Sequence, residues 1–119
     1  MVPSFLLAKL YVKGSLKNTD NGFEFSLKNI IDSTMLNGIG PIGAGEKNYD
    51  GENITLTIAD RSVSGAELSR SNSVPVRMGV PLKVSVAGEK LAAGAHKISV
   101  AATTSDIGKI KFDINDTVA

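Results

Sequence analysis

The 119 residues have the length of one domain, residues 1–119, which can bury roughly two-thirds of the surface that the unfolded chain exposes. Composition is that of a globular protein, with 42% hydrophobic and 21% charged residues, and argues against disorder of the whole chain. A net charge of +1 excludes the strongly basic surface that nucleic-acid binding usually needs, and the lack of cysteine excludes disulfides, thiolate zinc sites and cysteine nucleophiles.

The apolar stretch near the N-terminus is short. Residues 5–8 are apolar, but Lys9 interrupts them and no basic leader precedes them. A signal-peptide core or a membrane span needs a longer apolar run, so we predict neither. A chain without cysteine fits a reducing compartment, and we expect a cytoplasmic protein that binds no membrane.

Alternation of apolar and polar residues is the main pattern of the chain. In the run Phe23-Glu24-Phe25, both aromatic rings fall on one face and the acid falls on the other, as in a half-buried strand. Strands are predicted at residues 5–12, 23–28, 53–59, 61–64, 82–86, 96–102 and 110–114. Six to eight short strands separated by turns indicate an all-β fold, an antiparallel β-sandwich. One helical turn is expected at Ser64–Glu67, where the spacing of serine and glutamate forms a capping box.

The stretch "NGIGPIGAG" contains the spelling of a dinucleotide-binding turn in Gly38, Gly40 and Gly43. That turn works only between a strand and a helix, because the first amides of the helix face the pyrophosphate. Here Pro41 lies inside the motif, and turn-forming residues rather than a helical pattern follow Gly43. We therefore predict no nucleotide and no other cofactor.

Residues 32–50 are predicted to form one long, glycine-rich loop. The loop carries the apolar residues Met35, Leu36, Ile39 and Ile42, and Tyr49 closes it. Apolar side chains in a loop either fold back onto the sheet edge or meet another protein, and both alternatives remain open. These five residues are our interface candidates, and we expect a protein partner or a homo-oligomer.

Catalytic residue patterns are sparse in this sequence. The single histidine, His96, shares the inward alternation of the strand at residues 96–102, and no second histidine or cysteine exists to complete a transition-metal site. The carboxylates are scattered, and no spacing singles out a pair for acid and base chemistry. We predict no catalytic, cofactor-binding or metal-binding residues, and His96 and Arg77 are the candidates for a polar site.

Three segments resemble a known family, the small β subunits of C-glycoside deglycosidases. They are L-x-N-x-x-x-G-F-E-F at residues 16–25, "YDGENITLTIADRSVSGAEL" at residues 49–68 and L-x-x-G-x-H-x-I-x-V at residues 91–100. The resemblance implies a β-sandwich accessory subunit in carbohydrate metabolism, beside a metal-dependent TIM-barrel subunit that carries the chemistry. It transfers no catalytic residue to this chain.

Residues and resemblance together predict a non-catalytic accessory or interaction subunit, which binds and stabilises a larger enzyme or self-associates. We expect no enzymatic activity of the chain on its own. The alternative is a free-standing carbohydrate-binding module. Such modules stack sugar rings on exposed aromatic side chains, and Tyr11 and Tyr49 would have to serve in that role.

Overall fold

The computed structural model describes residues 3–119, which form mostly antiparallel β-structure in two sheets. Helical structure is confined to short pieces: helix α1 at Ser4–Leu7 and 3-10 turns at Ala8–Leu10, Gly51–Asn53 and Gly65–Glu67. The strands are β1 Lys17–Thr19, β2 Gly22–Lys28, β3 Thr34–Ala44, β4 Lys47–Tyr49, β5 Ile54–Ile58, β6 Arg61–Ser64, β7 Val74–Val76, β8 Pro81–Ala87, β9 Gly94–Thr104 and β10 Gly108–Val118.

Each sheet has five strands, and neighbouring strands run antiparallel. The first sheet has the order β1-β2-β8-β5-β6, and the second has the order β10-β9-β3-β4, with β7 also paired to β3. The longest pairing joins β9 to β10 over all eleven residues of each strand. Within residues 3–119, no helix is long and apolar enough to cross a membrane.

Six of the predicted strands are confirmed, as β2, β5, β6, β8, β9 and β10. In β2, β8, β9 and β10, the alternation places the apolar side chains on one face. On β2, for example, Phe23 and Phe25 are fully buried, whereas Glu24 is half-buried on the other face. The capping box is also confirmed, because the Ser64 side chain accepts from the Ala66 amide and the Glu67 side chain accepts from the Ser64 amide.

The strand predicted at residues 5–12 is wrong. Residues 4–10 instead form α1 and a 3-10 turn, and only Tyr11 pairs with a strand, as an isolated bridge to Leu27. Leu7 and Leu10 are three residues apart, so one helical face turns both toward the core. Phe5, on another side of α1, is exposed.

The long loop predicted at residues 32–50 is also wrong, because most of this segment forms β3 and β4. Leu36, Ile39 and Ile42 are 5%, 7% and 0% exposed, so they fold back into the core. They recur every three residues rather than every two because the pairing of β3 with β9 shifts between Leu36 and Gly38 and again between Ile39 and Ile42. Such a bulge inserts a residue and returns the next side chain to the same face.

The buried apolar side chains of both sheets form a single cluster. Leu56 and Val84 contribute from the first sheet, and Ile98, Val100 and Phe112 contribute from the second. Burial of apolar surface in this cluster is the main term that holds the two sheets together.

Candidate functional site

One group of polar contacts joins the two sheets. The Tyr11 hydroxyl donates to Asp116 Oδ2 at 2.6 Å and accepts from the Leu16 amide at 2.9 Å. The Gly14 amide donates to the same carboxylate oxygen at 2.8 Å. We call Tyr11, Gly14, Leu16 and Asp116 the Tyr11–Asp116 cluster.

Backbone pairing positions the two central members of this cluster. Tyr11 is held beside β2 by its bridge to Leu27, and Val12 continues the contact by donating from its amide to the Ser26 carbonyl. Asp116 belongs to β10, where it lies opposite His96 of β9. The cluster therefore connects the β1 side of the first sheet to the outer strand of the second.

The pKa values of Tyr11 and Asp116 are both shifted in directions that preserve the contact. The pKa of Asp116 is lowered, first by the hydrogen bond from Tyr11 and then by the Gly14 and Thr117 amides, which stabilise the carboxylate. The pKa of Tyr11 is raised, first by burial and then by its bond to Asp116. At neutral pH a neutral phenol thus donates to a charged carboxylate, an arrangement that fixes the two edges.

The two predicted polar-site residues do not lie together. His96 is half-buried, and its Nε2 lies 2.6 Å from the Ala92 carbonyl oxygen. Arg77 is exposed and directly follows β7, which pairs with the part of β3 that lies beside Thr104. Thr104 and His96 are at opposite ends of β9, roughly 26 Å apart at the rise of an extended strand.

The remaining interface candidates, Met35 and Tyr49, are half-buried. The Tyr49 ring meets Phe23 edge to face with 6.0 Å between ring centroids, and it packs on Gly88, where a β-carbon would have no room. Its hydroxyl accepts from the Glu89 amide at 3.2 Å. Neither Tyr49 nor Tyr11 is the exposed platform that sugar stacking requires. The interface role of the five candidates stays a prediction, although the exposed loop that motivated it is replaced by β3 and β4.

Gly38, Gly40 and Gly43 all lie in β3. Across the described residues that follow Gly43, the chain turns into β4 rather than into a helix. The amides that would face a pyrophosphate are therefore not arranged as a nucleotide-binding turn requires. Nor do histidine, aspartate and glutamate side chains gather in groups of three or more suited to a metal ion anywhere in residues 3–119.

An apolar cavity of about 70 Å³ lies in the core beneath α1. Leu7, Leu36 and Phe112 are among the side chains that line it, so it is bounded by the N-terminal segment and by the second sheet. Thr34 also lines it, and the Thr34 hydroxyl is buried without a hydrogen-bond partner.

Sequence reasoning missed the Tyr11–Asp116 cluster. Its two central residues are 105 positions apart, and neither belongs to a motif. Asp116 follows the last predicted strand, and Tyr11 was placed in a strand that does not form. No local signal in the sequence connects them.

Comparison with known families corrects the resemblance drawn from the sequence. The family model described as hydroxymethylglutaryl-CoA reductase, N-terminal domain, matches residues 6–119. No curated protein matches the chain. The assignments to an accessory subunit of C-glycoside deglycosidases, to carbohydrate-binding modules and to carbohydrate metabolism are wrong. They rested on short motifs, whereas the family match covers almost the whole chain. The chain belongs to the family of hydroxymethylglutaryl-CoA reductase N-terminal domains.

Proposed function

We propose that the chain serves as the N-terminal domain of a hydroxymethylglutaryl-CoA reductase and that its role in that enzyme is structural. The observation that carries this proposal is the family match over residues 6–119. In this view the reducing chemistry belongs to other residues of the enzyme. The 119 residues contribute a folded β-domain.

The contacts of the polar side chains support a structural role. The Asp116 carboxylate accepts hydrogen bonds from the Tyr11 hydroxyl and from the backbone amides of Gly14 and Thr117. The Nε2 atom of His96 is hydrogen-bonded to the Ala92 carbonyl oxygen. These hydrogen bonds hold the side chains against the backbone of the fold and stabilise it.

The finer architecture is part of the same proposal. We propose that the two sheets pack face to face as the layers of one β-sandwich domain, located in the cytoplasm. The single core cluster drawn from both sheets and the Tyr11–Asp116 cluster at their edges support the sandwich. The absence of cysteine supports a reducing compartment.

The test is the hydroxymethylglutaryl-CoA reductase activity of the polypeptide that carries this domain. Leu56 is fully buried, and Leu56→Ala should destabilise the domain by about 2–5 kcal/mol, lowering the yield of folded, active enzyme. Thr55→Ala, on the same strand but on the exposed face, is the matched control and should keep both yield and activity. A polypeptide that folds but does not reduce hydroxymethylglutaryl-CoA would contradict the proposal.

A second variant separates a structural role from a catalytic one. His96→Ala removes the only imidazole of the chain. We expect the turnover of the folded enzyme to stay within about twofold of the original, because removing a general acid or base typically costs a factor of 10² or more. A folded His96→Ala enzyme with turnover lowered by that factor would show that this domain supplies a reacting group.

A further inference from the structure

The apolar cavity beneath α1 has walls from both sheets. Leu27 and Leu82 line it from the first sheet, and Leu36, Ala102 and Phe112 line it from the second. All five side chains are buried, so the cavity belongs to the interior of the fold. Apolar cavities of about 150 Å³ bind benzene. This cavity of about 70 Å³ is smaller and accommodates a group of only a few carbon atoms.

One polar side chain that lines the cavity has no hydrogen-bond partner within the described residues. It is Thr34, whose hydroxyl is buried. The Thr104 hydroxyl is hydrogen-bonded within the turn between β9 and β10, and the Asn29 side chain is hydrogen-bonded to backbone groups of its own loop and of β7. Lys28 and Asp32 also line the cavity, but they are exposed and reach water.

A water molecule is a poor partner for the Thr34 hydroxyl. A buried water typically makes about three hydrogen bonds, and apolar cavities stay dry. Here the buried side chains that line the cavity are otherwise apolar, apart from Thr104, whose hydroxyl is already used. A molecule that brings one oxygen to Thr34 and fills the remaining space with carbon would satisfy the hydroxyl and remove apolar surface from water.

The cavity reaches the surface beside the segment between β2 and β3. Lys28 and Asp32 line the cavity and are exposed, and Ile30 between them is 51% exposed. Met78 is 55% exposed and lies next to this segment, because its amide donates to the Ser33 hydroxyl at 2.9 Å. The entrance is therefore flanked by apolar side chains. The two charged residues of the lining have opposite signs, so they favour neither an anion nor a cation.

We propose that this cavity binds a small, neutral aliphatic molecule that carries one oxygen, such as a short-chain alcohol or ketone. Its carbon atoms lie among Leu36, Ala102 and Phe112, and its oxygen forms a hydrogen bond with the Thr34 hydroxyl. A threonine hydroxyl can both donate and accept, so an alcohol and a carbonyl oxygen are equally suitable. This site goes beyond the proposed structural role and does not depend on it.

The experiment is a titration of the 119-residue chain with 1-butanol, followed through the methyl signals of the protein in NMR spectra. The signals of Leu36 and Leu82 should shift along a saturable curve. The dissociation constant should be on the order of millimolar, because a ligand of so few atoms makes few contacts. Leu56 is buried but does not line the cavity, so its signals should not shift and serve as the internal control.

Three variants test the role of the Thr34 hydroxyl. Thr34→Val should weaken 1-butanol binding by about fivefold, because the hydrogen bond is lost while the shape is kept. Thr104→Val is the matched control, with the same change in the same cavity, and should stay within about twofold because the Thr104 hydroxyl is used in the turn. Thr34→Ser keeps the hydroxyl and should also stay within about twofold.

A second ligand separates hydrogen bonding from filling of space. In n-pentane a methyl group replaces the hydroxyl of 1-butanol, so it offers no partner to Thr34. We expect n-pentane to bind Thr34→Val more tightly than the original chain, the reverse of the order for 1-butanol. A reversal of this kind cannot come from a general change in the stability of the variant.

Three outcomes would overturn the proposal. One is the absence of a saturable shift of the Leu36 and Leu82 signals at every 1-butanol concentration that leaves the chain folded. Another is an equal effect of Thr34→Val and Thr104→Val on 1-butanol binding. The third is the same order of affinities for the two ligands across Thr34→Val and the original chain.

Discussion

Two threonines of the second sheet differ in what their buried hydroxyls contact. The Thr104 hydroxyl donates to the Gly108 carbonyl at 3.0 Å and accepts from the Ile107 amide at 3.1 Å, within the turn between β9 and β10. The Thr34 hydroxyl is buried beside the apolar cavity and has no hydrogen-bond partner. A buried hydroxyl without a partner is a cost to stability, whereas one with two partners stabilises the fold.

Valine in place of each threonine tests this difference with the same change of shape. Thr34→Val should raise the free energy of unfolding by about 1 kcal/mol, because an unsatisfied hydroxyl is replaced by a methyl group in an apolar cavity. Thr104→Val should lower it by about 1–2 kcal/mol, since it leaves the Ile107 amide and the Gly108 carbonyl without this partner. Urea unfolding measures both, and equal effects of the two variants would contradict the reasoning.

Asp116 should make stability depend on pH in the acid range. Because its folded pKa lies below the ordinary value of 3.8, the carboxylate stabilises the fold above that pH, and this contribution is lost as the pH falls through the folded pKa. The original chain should therefore be more stable than Asp116→Asn at pH 6, and the difference should shrink below about pH 3.8. Urea midpoints measured across this range check the prediction, and a difference that grows toward acid pH would refute it.

At the scale of the secondary-structure elements, two 3-10 turns, Gly51–Asn53 and Gly65–Glu67, approach each other closely through their backbones. A β-carbon on Gly65 would come within 2.8 Å of the Gly51 carbonyl oxygen and 2.7 Å of an Ile39 methyl group. Backbone atoms there cannot move without separating the two turns. The turns can therefore lie together only because both contact positions are glycine.

Alanine substitution tests this contact. Gly65→Ala should lower the free energy of unfolding by about 1–3 kcal/mol, the usual cost of overpacking a tight contact. Gly38→Ala is the control within β3, because its β-carbon would meet Thr103 at an ordinary 3.7 Å, and it should be nearly neutral. Thermal unfolding of the two variants distinguishes them, and a tolerated Gly65→Ala would show that the turns can separate cheaply.

Strands β2 and β3 show which elements the sequence could predict. In β2 the pairing with β8 is regular, so the apolar side chains alternate and the strand can be recognised. In β3 two register shifts change the spacing of the buried residues from two to three, so the alternation of a strand is lost. The glycines and Pro41 of the same segment are residues typical of loops. Strands β1, β4 and β7 have only three residues each, too few for alternation to be recognised.

At the scale of the whole molecule, the all-β class followed from the sequence, but the assembly of polar groups and the family did not. Strand pairing in both sheets brings Tyr11 and Asp116 together, so no spacing in the chain indicates their contact. The segment Gly94–Val100, with a glycine before an alternating strand, fits many β-proteins equally well. A family assignment from such motifs was therefore wrong, although the strands that they contain are present.

The Tyr11–Asp116 contact also constrains the order in which the chain can assemble. The two residues are 105 positions apart, and closing a loop of that length costs roughly 4 kcal/mol in chain entropy. The net contribution of one hydrogen bond is smaller than this cost, so the contact cannot bring the two ends of an unfolded chain together by itself. Most of the entropic cost of closing this loop must be offset by the formation of the sheets, which places Asp116 beside Tyr11. The phenol–carboxylate bond is therefore a consequence of the topology rather than its origin.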